Sequence, residues 1–206
     1  MSTKVAEKKP LFEFSLFKNY AFFALCMQLF LYTLSFNTTF VFLPALAKEK
    51  GISQMEGAYM VSILGICDMF SRICTSAILD LKQIKPYRLI IYNVVMFVNA
   101  FVSLLLPSMK TFWQFSIVCG LYGIMSGTYI SQKSVVLVDI LGVEKLTNGF
   151  GLMLVFQGMG SLIGPTVGGE NVLLFGVNLN HWCPSYILCI QFSLFIVDHL
   201  SLLIHK

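Results

Sequence analysis

About six apolar stretches, each close to the length needed to cross a bilayer, follow one another along 206 residues with only short polar connections between them. Composition agrees: 57% of the residues are apolar and 12% charged, against about 25% charged in ordinary soluble domains. The expected fold is an all-α membrane protein in which one helical bundle uses nearly the whole chain. The first span covers residues 20–43 and stops at Pro44, which cannot comfortably continue a helix. The second covers 59–79 and the third 89–106, closing at Pro107. The fourth covers 111–138 and the fifth 148–168. After Gly169 the pattern degrades into a short apolar scrap, 171–175, before a sixth stretch at 186–204. The domain reading is therefore a cytoplasmic segment 1–19, a bundle 20–169, and a divergent tail 170–206 with one further membrane helix.

Loop charges orient this bundle. With the N-terminus in the cytoplasm, Lys4, Lys8, Lys9, Lys18, Lys82, Lys85, Arg88 and Lys145 fall on the inner side. Lys48, Lys50 and Lys110 fall on the outer side. That asymmetry satisfies the positive-inside rule. The net charge of +4 is spread over membrane-flanking loops with no basic stripe, so no nucleic-acid partner is expected. Lys133, inside the fourth span, is expected to snorkel toward the cytoplasm, with a substrate role as the alternative. The residues before the first span include Glu7, Glu13 and Lys18, and no small-residue cleavage site ends that apolar run, so no signal peptide is expected. The Asn37 sequon lies near the end of a span and is discounted as a glycan site.

The cysteines (Cys26, Cys67, Cys74, Cys119, Cys183, Cys189) show neither zinc spacing nor a secreted disulfide framework and read as packing residues. His181, His199 and His205 have no metal spacing either. Neither a nucleophile elbow nor a phosphate loop is present, so no enzyme, cofactor or metal is expected.

Two features inside the spans carry chemistry. Asp68 and Arg72 stand one helical turn apart in the second span, acid before base, the better orientation for an i,i+4 pair. A lone charge at the centre of a membrane helix costs roughly 2.5–3.5 kcal/mol, so this pair implies a substrate or proton pathway inside the bundle. The alternative is a neutralised pair that merely orders the bundle. Gly123 and Gly127 in the fourth span, and Gly160 and Gly164 in the fifth, form small-xxx-small faces suited to close helix contact.

Three stretches carry a family resemblance. Phe40-Val-Phe-Leu-Pro44 followed by Ala47-Lys-Glu-Lys-Gly-Ile-Ser53 resembles the seventh helix, and the loop after it, of the monocarboxylate transporters, a branch of the major facilitator superfamily. Ser62-Ile-Leu-Gly-Ile-Cys-Asp68-Met-Phe-Ser-Arg72 is similar to their eighth helix with its Asp-xxx-Arg signature. Residues 134–148 and 156–165 resemble the end of the tenth helix and the start of the eleventh.

The resemblance covers about residues 16–168 and implies the C-terminal half, helices seven to twelve, of a twelve-helix carrier. It further implies that Arg72 binds a substrate carboxylate and Asp68 couples its movement to a proton at the plasma membrane. The partners it implies are the bilayer, a small organic anion and a proton. They include an N-terminal transporter half, a second copy or an accessory membrane glycoprotein. The alternative function is a non-transporting subunit, or truncated isoform, that binds and modulates a full-length carrier.

Overall fold

The computed structural model describes residues 14–79, 81 and 83–175. Five α-helices fill them: α1 (Tyr20–Glu49), α2 (Gln54–Leu79), α3 (Arg88–Leu105), α4 (Phe112–Leu141) and α5 (Leu146–Phe175). No strand occurs among the described residues. Helices α1 and α2 and the stretch Val143–Val167 are long and apolar enough to cross a membrane, and α3 holds a shorter apolar run, Ile90–Leu105. Helix α4 carries buried Ser116, Ser126, Gln132 and Lys133. The sixth stretch, 186–204, with Cys183, Cys189 and the three histidines, lies outside the described residues, as do residues 1–13.

Local chemistry sets the helix ends. The Asn19 side chain accepts the Ala21 N–H at 3.1 Å and caps α1. At the other end Gly51, at φ +79°, adopts the left-handed conformation that favours glycine. Its N–H donates to the Lys48 carbonyl and that of Ile52 to the Ala47 carbonyl, both at 3.0 Å, closing a Schellman motif. Ser53 then opens α2 with a capping box. Its hydroxyl and N–H both donate to Glu56 Oε2, at 2.7 and 3.0 Å, and the Glu56 N–H returns to Ser53 Oγ at 3.3 Å.

Those bonds favour the ionised Glu56 and hold its carboxyl below the ordinary value of 4.5. A depressed native value means the cap is intact above 4.5 and is lost as pH falls through the native value. Hydrogen exchange at residues 54–57 is therefore expected to accelerate on acidification. Ser53→Ala is expected to cost about 1 kcal/mol of local protection at neutral pH, and unchanged exchange in that variant would refute the cap.

The structure corrects the end of the first span. Helix α1 passes through Pro44 and continues to Glu49. The proline forfeits one backbone bond, but Leu43 and Leu46 on either side, and Ala47 beyond, are buried in the core with Met60, Leu64 and Phe115. Burial of that turn outweighs the local preference. Helix α5 likewise passes through Pro165 and runs without a break to Phe175, so the apolar scrap 171–175 is helical.

Two tight helix pairs make the bundle, α2 with α4 and α1 with α5, joined mainly by α1 against α2, with α3 packed on α4. A Cβ at Gly123 would stand 2.5 Å from the Leu64 carbonyl oxygen and 3.2 Å from the Asp68 nitrogen. One at Gly127 would collide with the Asp68 carbonyl oxygen. Gly160 and Gly164 bring α5 equally close to the Phe30 and Leu34 carbonyls of α1.

One core cluster gathers around Leu25, Leu29, Tyr92, Tyr129 and Met153, and the other around Leu43, Met60, Phe115 and Tyr122. Phe36 packs against both. Cys26 and Cys119 are buried in these clusters as free thiols, but Cys74 is exposed and does not pack in the core.

The outer surface is apolar. Phe70, Ile73, Phe101, Ile117 and Leu162 are each more than half exposed. Large apolar side chains exposed on each of α2, α3, α4 and α5 suit a surface solvated by lipid tails. At one end Arg88 fastens three helices: Nη2 donates to the Leu79 carbonyl at 2.6 Å, and Nη1 lies 3.9 Å from Asp139 Oδ1.

Candidate functional site

Asp68 and Arg72 project from α2 toward α4 and the interior, and they meet. Arg72 Nη2 lies 2.7 Å from Asp68 Oδ2 and Nε donates to the same oxygen at 2.9 Å. Ser126 Oγ of α4 lies 3.0 Å from the other oxygen, Oδ1, and 2.9 Å from the Gly123 carbonyl, so its proton serves either acceptor. The close approach at Gly123 and Gly127 is what brings α4 near enough for this contact. Around it Ser71, Thr75 and Thr128 form a hydroxyl ladder between the same two helices, Ser71 donating to the Ile124 carbonyl at 2.6 Å.

The pair is not symmetric. The Asp68 side chain is 14% exposed and that of Arg72 is 45% exposed. Two buried partners would simply neutralise one another. Here the acid is covered while the guanidinium opens onto a cavity of about 400 Å3. Tyr32, Phe36 and Asn37 of α1, Ile130 of α4, and Gln157 and Ser161 of α5 complete its walls together with Leu29, Thr33, Leu154 and Gly158. Asn37 Nδ2 donates to Ser161 Oγ at 3.0 Å across the α1/α5 seam. The Tyr32 hydroxyl is buried, without a hydrogen-bond partner among the described residues, and close enough to Asp68 and Arg72 to feel both charges.

Lys133 corrects the snorkelling expectation. It is 7% exposed, and its Nζ donates to Gln157 Oε1 at 2.6 Å. Its position in α4, between neighbouring helices, leaves the side chain enclosed by protein and gives it an amide partner instead of water.

Phe36 lines the cavity. Tyr122 and Tyr129 are core residues, Tyr129 tilted against Tyr32 with ring centroids 4.0 Å apart. Tyr32, Ser126 and Gln157 escaped the sequence reading because a tyrosine, a serine and a glutamine in apolar helices are ordinary. They stand on α1, α4 and α5, so no helical period links them to Arg72 on α2.

With this geometry in view, comparison with known proteins is informative. The profile of the Major Facilitator Superfamily matches residues 2–165. Monocarboxylate transporter 4 of Rattus norvegicus is 28% identical over 160 residues, 78% of this chain and 34% of the relative. Monocarboxylate transporter 14 of Mus musculus is 32% identical over 158 residues, 75% of this chain and 30% of the relative. The chain thus spans about a third of the length of such relatives. A helical bundle with a lipid-facing apolar surface, an interior ion pair beside a cavity and a profile match over most of its length identify this chain as an integral membrane protein belonging to the Major Facilitator Superfamily.

Proposed function

We propose that this chain forms one wall of a plasma-membrane carrier that moves small organic anions of the monocarboxylate type together with a proton, its N-terminus in the cytoplasm. The observation that carries the reading is the guanidinium of Arg72, open to a cavity on one side and held by Asp68 on the other. Arginine stays cationic and offers a planar donor fork that matches a carboxylate. An arriving anion competes with Asp68 for that fork. As the Arg72–Asp68 bonds loosen, a proton takes the place of the guanidinium at the aspartate. Ser126 can remain hydrogen-bonded to either form, since a hydroxyl both donates and accepts. Anion and proton then travel together.

Carriers of this architecture rock two repeats around a central site, so a second set of helices closes the cavity from the opposite side. Its source is an N-terminal half, with a second copy or an accessory glycoprotein as further partners. The names of the relatives support the anion class, and the excess of lysine and arginine in the assigned inner loops supports the orientation.

The test joins this chain to the N-terminal helices of a relative and measures lactate and pyruvate uptake against an imposed pH gradient. Asp68→Asn is expected to leave residual uptake that no longer accelerates as the outside is acidified. Retention of the full pH dependence would remove Asp68 from the proton path.

A further inference from the structure

We propose that Tyr32 is a specificity-determining residue of the cavity, its hydroxyl bonding to an oxygen on the carbon next to the substrate carboxylate. The chain then prefers short monocarboxylates that carry a 2-hydroxy or 2-oxo group over plain alkyl acids. The inference rests on the reading of Arg72 as the group that holds the carboxylate.

Packing accounts for the ring of Tyr32 but not for its oxygen. The ring stacks on Phe36, 5.8 Å away by centroids, and tilts against Tyr129 at 4.0 Å, within one of the two core clusters. A phenylalanine would fill the same space. The hydroxyl, by contrast, is buried without a hydrogen-bond partner among the described residues. Holding a phenol oxygen unpaired inside a protein is costly, so the fold retains a polar atom that its own packing does not use.

That atom stands where a ligand would meet it. Tyr32 and Arg72 line the same cavity, and the phenol oxygen is near enough to Asp68 and Arg72 to feel both charges. Three other polar side chains of the wall already have partners. Thr33 donates to the Leu29 carbonyl at 2.7 Å, Asn37 to Ser161 at 3.0 Å, and the Gln157 oxygen accepts from Lys133 at 2.6 Å. Once the guanidinium fork holds both oxygens of a carboxylate, the next polar atom of a 2-hydroxy or 2-oxo acid stands on the adjoining carbon. A phenol donates to a carbonyl, and it donates to or accepts from a hydroxyl. A methylene offers neither, and the Tyr32 oxygen stays as unpaired as before. A site built around such a bond discriminates against the analogue that lacks it.

The experiment measures equilibrium binding of lactate and propionate, which differ only by the 2-hydroxyl, to the purified full chain in lipid nanodiscs. The unmodified chain is expected to bind lactate about tenfold more tightly than propionate. Tyr32→Phe is expected to bring that ratio near one by weakening lactate alone. Its thermal midpoint is expected to be no lower than that of the unmodified chain, because the lost hydroxyl had no partner in the fold. Tyr92→Phe is the contrast: that hydroxyl donates to Gln28 at 3.1 Å in the core, so the variant is expected to lower the midpoint and keep the ratio.

A ratio near one in the unmodified chain overturns the assignment of Tyr32, as does a ratio that Tyr32→Phe leaves unchanged or that Tyr92→Phe lowers equally. A midpoint lowered by Tyr32→Phe overturns it too, since the hydroxyl would then serve the fold. Propionate binding that survives Arg72→Gln refutes the underlying assignment of Arg72. Propionate binding that needs Arg72, with a ratio indifferent to Tyr32, refutes the role of Tyr32 alone.

Discussion

Replacing Arg72 by alanine is expected to lower carboxylate uptake by at least about thirtyfold in the completed carrier, while the protein still reaches the membrane. Removing one partner of a hydrogen-bonded charge pair costs about 2–5 kcal/mol, and the lower figure is already about thirtyfold. Two roles end together: the cavity loses its cationic wall, and Asp68 keeps, among the described residues, only Ser126 as a side-chain partner. With no guanidinium left for the anion and the aspartate to compete over, anion and proton movement are uncoupled, so the residual uptake should also lose its response to outside acidification. Arg72→Lys separates charge from shape. A lysine keeps the positive charge but not the planar fork, and it is expected to recover part of the uptake with weaker apparent affinity. Initial rates across a range of lactate concentrations at two pH values decide the matter. Alanine at position 72 with full uptake would leave the pair as an ordering device.

Gly127→Leu is expected to cost about 3 kcal/mol or more of bundle stability. Overpacking typically costs about 1–3 kcal/mol when side chains can yield. Here the added Cβ meets the Asp68 carbonyl oxygen and stands 3.0 Å from the Ser71 Cβ, so α2 itself must move. Moving it draws Asp68 away from Ser126 and breaks the hydroxyl ladder through Ser71 and Thr128. Each helix remains inserted, because insertion depends on its own apolar length and not on the contact. The expected result is a lower thermal midpoint in detergent and a loss of cross-linking between cysteines placed on α2 and α4, with membrane insertion unchanged. Gly65 of α2 provides the control: a Cβ there meets nothing within 4 Å among the described residues, and Gly65→Ala should be neutral or slightly stabilising. Equal midpoints for the two variants would contradict the close approach.

Legibility in the sequence differed by kind of feature. The Asp68–Arg72 contact was readable because an i,i+4 spacing fixes which side chains share a helix face, and the two atoms indeed meet at 2.7 Å. The glycines were readable as small faces, though which helix each would touch was not. The end of α1 was misread at Pro44, since a local penalty of one lost hydrogen bond was set against no knowledge of what Leu43, Leu46 and Ala47 would bury. Lys133 was misread for the same reason. An isolated lysine in a membrane helix reaches for water, but this one is surrounded by protein and meets Gln157, 24 residues further along the chain.

The sequence by itself determined that the chain is a bundle of apolar helices and that an acid and a guanidinium share one turn of the second, because length, hydropathy and helical period act within a single segment. Tertiary structure alone decided that the guanidinium opens onto a cavity while the acid is covered, and that Ser126, Tyr32, Lys133 and Gln157 gather around them. Those relations depend on how far one helix is rotated and shifted against another. That packing is set by glycine contacts and core side chains from distant parts of the chain, so no local pattern records it.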